Sequence, residues 1–188
     1  GKINIKGGDY TSGALAYTRR CVNAKDITVA GNEGSLIEGN STVGGVISDI
    51  QMNGGLVADY KYFSADGLAI TGAMHVGGIS GIISGQTLTG ATVKNVNLTC
   101  TDARVGLVAG SLGDASAISV VVTENVTGAT ALIGAGYKSA KAVEAKIGDK
   151  YFTTLEDALA AEGNKVELLV PYVVADDGEI VLDLKGKT

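Results

Sequence analysis

The chain is predicted to be mainly all-β and to form a right-handed parallel β-helix, or β-solenoid, of about six two-strand rungs. Three observations favour this fold class. Glycine-rich segments recur along the chain, a segment rich in β-branched residues follows most of them, and the composition suits closely stacked strands. A small α+β module that resembles a cap is predicted at the C-terminus.

The composition contains many small residues and few large ones. The 188 residues include 28 glycines, one proline, two phenylalanines and no tryptophan. Glycine is present at about twice its usual share, and the single proline excludes collagen and proline-rich linkers. A chain of this length can bury a sizeable core, so small and aliphatic residues indicate thin, tightly stacked sheets rather than a core of large aromatic side chains.

Six glycine-rich or small-residue segments begin at positions 13, 34, 55, 78, 106 and 131, which gives steps of 21, 21, 23, 28 and 25 residues. A drifting period in the twenties, with two strand-like segments per unit, is typical of stacked β-rungs. Connections between parallel strands are nearly always right-handed, which favours a right-handed coil.

The predicted interior ladder contains Ile27, Val46 or Ile47, Leu68, Val96 and Val120. An α/β fold with phosphate-binding glycines is disfavoured because segments 13–20 and 55–63 are too short for alternating helices.

The composition changes near Ala140, which predicts a solenoid domain over residues 1–142 and a small module over residues 143–188. Thr153 and Glu156 have capping-box spacing, and Gly163 follows where a helix commonly ends, so a helix is predicted over 153–163. Strand-like segments flank it at 145–152 and 165–170, and another follows at 180–184. Such a module would cover an open rung.

Charge and cysteine content exclude several classes of partner. The formal charge is −5, with 15 Lys and Arg against 20 Asp and Glu, so nucleic acid and anionic membranes are not expected partners. No apolar run approaches the roughly 20 residues that cross a bilayer.

The start at Gly1 rather than Met suggests a processed or recombinant terminus. Cys21 and Cys100 form either one disulfide or two small buried thiols.

Two short segments carry a family resemblance: VGGISG at 76–81 and VGLVAG at 105–110, each followed by a β-branched strand. They resemble the GLUG-type repeats of large bacterial surface proteins, over roughly residues 13–136. The run from 147 to 188 is similar to the helix-plus-strand opening that often precedes a parallel β-helix in exported proteins of gut anaerobic bacteria. The resemblance implies part of a longer polypeptide, located outside the cytoplasm at the cell surface, with a role in display or adhesion. It supplies no catalytic motif.

An enzyme is not predicted. Polysaccharide lyases and glycoside hydrolases with this architecture need clustered or paired carboxylates, whereas the acids here are scattered: Asp26, Asp49, Asp59, Asp66, Asp102 and Asp114. Asp102 and Arg104, near His75 in repeat order, form the best catalytic candidate, but solvated turn residues are the favoured interpretation. Nucleophile, nucleotide and metal motifs are absent, so neither a cofactor nor a metal is expected.

One segment concentrates aromatic residues in a chain otherwise poor in them, and it contains the candidate binding residues Tyr60, Lys61, Tyr62 and Phe63. Aromatic faces stack on sugar rings or on partner side chains, and strand alternation would place Tyr60 and Tyr62 on one face. The alternative is packing at a rung edge. Asparagines in sequons, such as Asn97 and Asn125, are expected to be turn or ladder residues.

The sequence therefore predicts an exported cell-surface repeat protein that acts as a structural or adhesive scaffold, with a host or environmental glycan or protein as partner. The alternative is a carbohydrate-binding or polysaccharide-degrading β-helix. The oligomeric state is left open.

Overall fold

A computed structural model describes residues 1–19, 23–51, 58–102, 104–113, 116–134, 145–148, 150–152, 155–162 and 165–168. Within these residues the chain forms a parallel β-solenoid, which confirms the predicted β-solenoid and the mainly all-β class. The chain returns three times to each of four sheets, so about three turns separate the first layer of strands from the last.

Each layer contributes one strand to each sheet. The first two layers contain β1 (Asn4–Lys6), β2 (Tyr10–Ser12), β3 (Leu15–Arg19), β4 (Ala24–Ala30), β5 (Leu36–Glu38), β6 (Thr42–Gly44), β7 (Ile47–Gln51) and β8 (Asp59–Asp66). The next two contain β9 (Ala69–Gly72), β10 (His75–Gly77), β11 (Ser80–Ser84), β12 (Thr87–Lys94), β13 (Asn97–Cys100), β14 (Arg104–Gly106), β15 (Ala109–Leu112) and β16 (Ala117–Glu124). Every fourth strand stacks in parallel, and the sheets that begin with β1, β2, β3 and β4 are named A, B, C and D.

The predicted six rungs of two strands are not confirmed, because the described strands form four layers of four. Successive strands of sheet A begin 32, 33 and 28 residues apart. The predicted period was shorter because glycine-rich segments mark two different corners of the same layer. Gly13 and Gly78 lie at the corner between sheets B and C, whereas Gly34 precedes sheet A in its layer.

Buried aliphatic residues at equivalent positions form the interior. Sheets A, C and D contribute the columns Ile37–Ile70–Leu98, Ile50–Ile83–Leu112 and Val29–Ala65–Val93. Parallel stacking at about 4.8 Å brings the members of each column into van der Waals contact. The predicted ladder is confirmed in part: Val46, Ile47, Leu68 and Val96 are buried, but Ile27 is in register with Phe63 and Val120 is 40% exposed.

In the second, third and fourth layers the corner between sheets B and C requires glycine, whereas Ser12 occupies the equivalent position of the first layer. Gly44, Gly77 and Gly106 occupy one column of sheet B. A Cβ added to any of them would overlap the carbonyl oxygen three positions further along the chain. Only a residue without a side chain therefore fits where β6, β10 and β14 turn into sheet C.

The corner between sheets D and A carries a ladder of polar side chains. Gly67, Asn95 and Asn125 there have φ values of 64°, 51° and 52°. The Asn95 side-chain amide donates to Asp66 at 2.9 Å, and the Asn125 amide donates to Asn95 at 3.1 Å. Asparagine tolerates the left-handed conformation, and its amide can bond in both directions along the stack. The prediction that Asn125 is a turn or ladder residue is confirmed.

The C-terminal part extends sheet D through antiparallel pairs. It contains β17 (Ala145–Ile147), β18 (Lys150–Phe152), the helix α1 (Leu155–Ala160) and β19 (Glu167–Leu168). β18 pairs antiparallel with β16, and β17 lies between β18 and β19. Ala145, Leu155 and Ala158 form a second, smaller apolar cluster. The helix α1 lies within the predicted range 153–163.

Several predicted features lie outside the described residues. They are Cys21, both proposed ends of the helix at Thr153 and Gly163, and the strand predicted over 180–184. Cys100 is half-buried, and its thiol donates to the carbonyl oxygen of Met74 at 3.4 Å.

Candidate binding groove and polar networks

All four parallel strands of sheet D contain a left-handed residue at the same position. Asp26, Tyr62, Gly90 and Val120 have φ values of 57°, 59°, 78° and 54°. The registers of β4, β8, β12 and β16 place these residues in one row across the sheet, which we name the left-handed row. A left-handed residue interrupts the inward and outward alternation of a strand, as a β-bulge does.

This interruption decides where the predicted binding residues lie. Tyr60 and Phe63 are 1% and 0% exposed and face the core, where their rings meet edge to face with centroids 6.3 Å apart. The Tyr60 hydroxyl donates to Thr18 at 3.0 Å. Tyr62 is 58% exposed, and Lys61 is half-buried.

The predicted common face of Tyr60 and Tyr62 is therefore wrong. Simple alternation places residues two apart on one side of a strand, but the left-handed conformation of Tyr62 turns its side chain outward. Of the two tyrosines, only Tyr62 presents its ring to solvent, and its binding role stays a prediction.

A shallow groove of about 440 Å³ follows the left-handed row on the outer side of sheet D. Its lining includes Asp26, Tyr62, Gly90 and Val120 together with a row of hydroxyl-bearing residues: Thr28, Ser64 and Thr92. These three are also in register, one on each of β4, β8 and β12. No local sequence pattern connects these three residues, because their proximity depends on the strand register.

The catalytic candidates His75, Asp102 and Arg104 do meet, in a network on sheet B. The guanidinium of Arg104 donates to both carboxylate oxygens of Asp102, at 2.9 and 2.7 Å. Its Nη1 lies 3.1 Å from Nε2 of His75, and Nδ1 of His75 lies 2.7 Å from the Ser111 hydroxyl. His75 is 6% exposed, so it is not the solvated turn residue that was expected.

The donor and acceptor pattern of this network opposes nucleophilic chemistry. A guanidinium only donates hydrogen bonds, so Nε2 of His75 accepts and Nδ1 carries the proton toward Ser111. A base for a serine nucleophile needs a free lone pair on the nitrogen that faces the hydroxyl. Ser111 is also fully buried. The network fits a structural role that joins sheets B and C.

Burial and the adjacent Arg104 cation lower the pKa of His75 from its ordinary 6.5, and the Asp102 carboxylate opposes this effect. His75 is consequently neutral near pH 7. When the pH falls below about 6.5, the unfolded chain takes up a proton that the folded chain does not, so His75 lowers stability on the acidic side.

Asp49, Gln51 and Tyr17 form a second polar network, in which the Asp49 side chain lies inside the fold. That side chain is fully buried, and one carboxylate oxygen accepts from the Gln51 amide at 2.9 Å. The other oxygen has no hydrogen-bond partner among the described residues, while the Tyr17 hydroxyl donates to the side-chain oxygen of Gln51 at 3.1 Å. Burial raises the pKa of Asp49 from 3.8 to about 6, against the lowering effect of the Gln51 hydrogen bond.

Asp49→Asn is expected to stabilise the protein by about 3 kcal/mol at pH 7.5 and by less than about 1 kcal/mol at pH 4. The folded state holds the Asp49 proton up to about pH 6, whereas the unfolded chain releases it near pH 3.8. The free energy of unfolding therefore falls as the pH rises through this interval, and the neutral amide removes that loss.

Urea unfolding at both pH values measures the effect of Asp49→Asn. The exposed Asp9 provides a matched control, since Asp9→Asn should change stability by less than about 0.5 kcal/mol at either pH. Equal effects of Asp49→Asn at pH 4 and pH 7.5 would contradict the burial of a protonated carboxyl group.

Among the described residues, no group of three or more His, Cys, Asp or Glu side chains is arranged to hold a metal ion. The helix found in the described part of the chain is too short to cross a membrane. Comparison with protein-family models, with curated proteins and with solved structures finds no match to this chain.

Proposed function

We propose that this chain is the structural and adhesive part of an exported bacterial cell-surface protein and that it has no enzymatic activity. The observation that carries the proposal is the continuity of each of the four sheets through every layer, around buried aliphatic columns. Such stacking makes a stiff prism with long outer faces, which suits a spacer that displays a binding surface. The resemblance of segments 76–81 and 105–110 to GLUG-type repeats supports the surface location.

The C-terminal residues 143–188 are proposed to cap the solenoid, which occupies residues 1–142 and coils in the right-handed sense. The antiparallel pairing of β18 with the last parallel strand, β16, supports the cap. An uncovered strand exposes a row of backbone donors and acceptors, and an antiparallel neighbour satisfies them without continuing the coil.

The absence of enzymatic activity is tested by incubating the protein with pectin, xylan and mucin glycans, with and without calcium. We expect no new reducing or unsaturated ends beyond those of a buffer control, because Ser111 is buried and the Asp102 carboxylate is bound to Arg104. Release that Asp102→Asn abolishes and Asp9→Asn leaves intact would overturn the proposal.

The adhesive role is tested by coating beads with the protein and measuring their retention under flow. Surfaces carrying immobilised glycans, surfaces carrying extracellular-matrix proteins and bare surfaces provide the comparison. Retention on either coated surface above the bare one is expected, and retention on neither contradicts adhesion.

The surface location is tested with antibodies against the protein. They should label intact producing cells, and labelling only after lysis contradicts surface display.

A second candidate function is carbohydrate binding without adhesion or cleavage. The exposed ring of Tyr62 in an open groove favours it, since aromatic faces stack on sugar rings. Soluble oligosaccharide binding by a protein whose beads are not retained on any glycan surface would support this candidate over adhesion.

A further inference from the structure

The groove on sheet D has a direction. The left-handed row and the row of Thr28, Ser64 and Thr92 both run from strand to strand, along the solenoid axis. Each row advances by the strand spacing of about 4.8 Å. An elongated ligand that follows the groove would therefore meet equivalent positions of four successive strands.

Tyr62 lies across the adjacent position of the groove. A Cβ added to Gly90 would lie 2.7 Å from Cδ1 of Tyr62, so the ring is placed over the glycine of the next strand. The absence of a side chain at Gly90 leaves room for this orientation, and the ring is still 58% exposed. The structure thus presents an aromatic surface in the middle of the row, between Asp26 and Val120.

Beside the apolar Phe63, Val120 and Val122, the polar part of the lining carries hydroxyl groups and one carboxylate. Thr28, Ser64 and Thr92 each bring a hydroxyl that donates and accepts, and Asp26 brings a carboxylate that accepts. None of the described residues that line the groove is Lys or Arg, and one carboxylate would repel an anionic ligand. Sugars with free hydroxyl groups and no carboxylate or sulfate match this chemistry.

We propose that the groove on sheet D binds an extended, neutral, β-linked glycan along the solenoid axis, with one sugar stacked on Tyr62 and others bonded to Asp26 and the hydroxyl row. Equatorial β-1,4 linkages hold a sugar chain extended, and a chain that advances by about 4.8 Å per sugar would place successive sugars on successive strands. This inference rests on the proposed adhesive function and names its ligand class.

Two variants test the aromatic contact in different ways. Tyr62→Asn removes the ring while keeping a residue that tolerates positive φ. Gly90→Asn keeps the ring but displaces it, because the new Cβ would lie 2.7 Å from Cδ1 and 3.2 Å from Cε1 of the Tyr62 ring. Tyr10→Ala serves as the matched control, since Tyr10 is 50% exposed on sheet B, outside the groove.

Affinity gel electrophoresis in mixed-linkage β-glucan, xylan and galactomannan measures binding, with polygalacturonate as an anionic comparison. We expect the neutral polysaccharides to retard the protein, and both groove variants to weaken binding at least about tenfold while Tyr10→Ala does not. Thermal unfolding of each variant verifies that the fold is kept.

Three outcomes overturn the inference: no retardation in any neutral polysaccharide, equal binding by the wild type and both groove variants, or stronger retardation in polygalacturonate. The first two leave the adhesive function intact if coated beads are still retained on surfaces. Release of sugar ends contradicts the proposed function itself, so the two failures are distinguishable.

Discussion

Gly77→Ala is expected to destabilise the solenoid by about 4 kcal/mol or more. The new Cβ would overlap the carbonyl oxygen of Ser80 and would lie 2.7 Å from that of Val108. Neither oxygen can move alone, because β10 is paired on both sides, with β6 and with β14. Relief of the overlap would require the second, third and fourth layers to shift together.

Chemical denaturation monitored by far-UV circular dichroism measures this effect. Gly8→Ala is the control, because a Cβ at Gly8 would have no heavy atom within 4 Å. That variant should stay within about 0.5 kcal/mol of the wild type. If Gly77→Ala also stayed within that range, the tight corner between sheets B and C would be incorrect.

Phe63→Ala is expected to cost about 3–5 kcal/mol of unfolding free energy. Phe63 is fully buried, and it lies in register between Ile27 and Ala91 in the middle of sheet D. Its ring also packs edge to face with the ring of Tyr60. Neighbouring strands are held by their ladder hydrogen bonds, so they cannot collapse into the space that the missing ring leaves.

The neighbouring substitution Tyr62→Asn provides the comparison, measured by the same denaturation experiment. Tyr62 is largely exposed, so its replacement should change stability by less than about 1 kcal/mol. A large difference between two adjacent aromatic residues is the signature of the left-handed conformation at position 62. Similar losses at both positions would mean that the two side chains are not separated into core and surface.

The sequence predicted the solenoid because its stacked strands impose a local pattern of glycine-rich and β-branched segments. It did not predict the number of strands per layer. Gly34 and Gly78 look alike in the sequence, because each begins a glycine-rich segment. Gly34 precedes sheet A, whereas Gly78 lies at the corner between sheets B and C, and only the strand pairing distinguishes the two corners. Treating both as one type of position halved the apparent number of strands in each layer.

The sequence pattern did not predict the left-handed row either. Val120 is β-branched, a type that rarely adopts positive φ, so alternation through Val120, Val121 and Val122 gave no warning that residue 120 faces outward. The candidate group of His75, Asp102 and Arg104 was found from repeat order, but its fourth member, Ser111, was not. His75 and Ser111 are 36 residues apart and meet only because sheet B packs on sheet C.

The left-handed row implies that layers of sheet D help one another to fold. Val120 adopts a conformation that costs an ordinary residue about 1–2 kcal/mol, whereas Gly90 reaches it without steric penalty. β12 can therefore form its bend independently, and β16 acquires the same bend by pairing along it. The glycine strand serves as a template for β8 as well as for β16, so the second and fourth layers should form after the third, and ordering of sheet D spreads outward from β12.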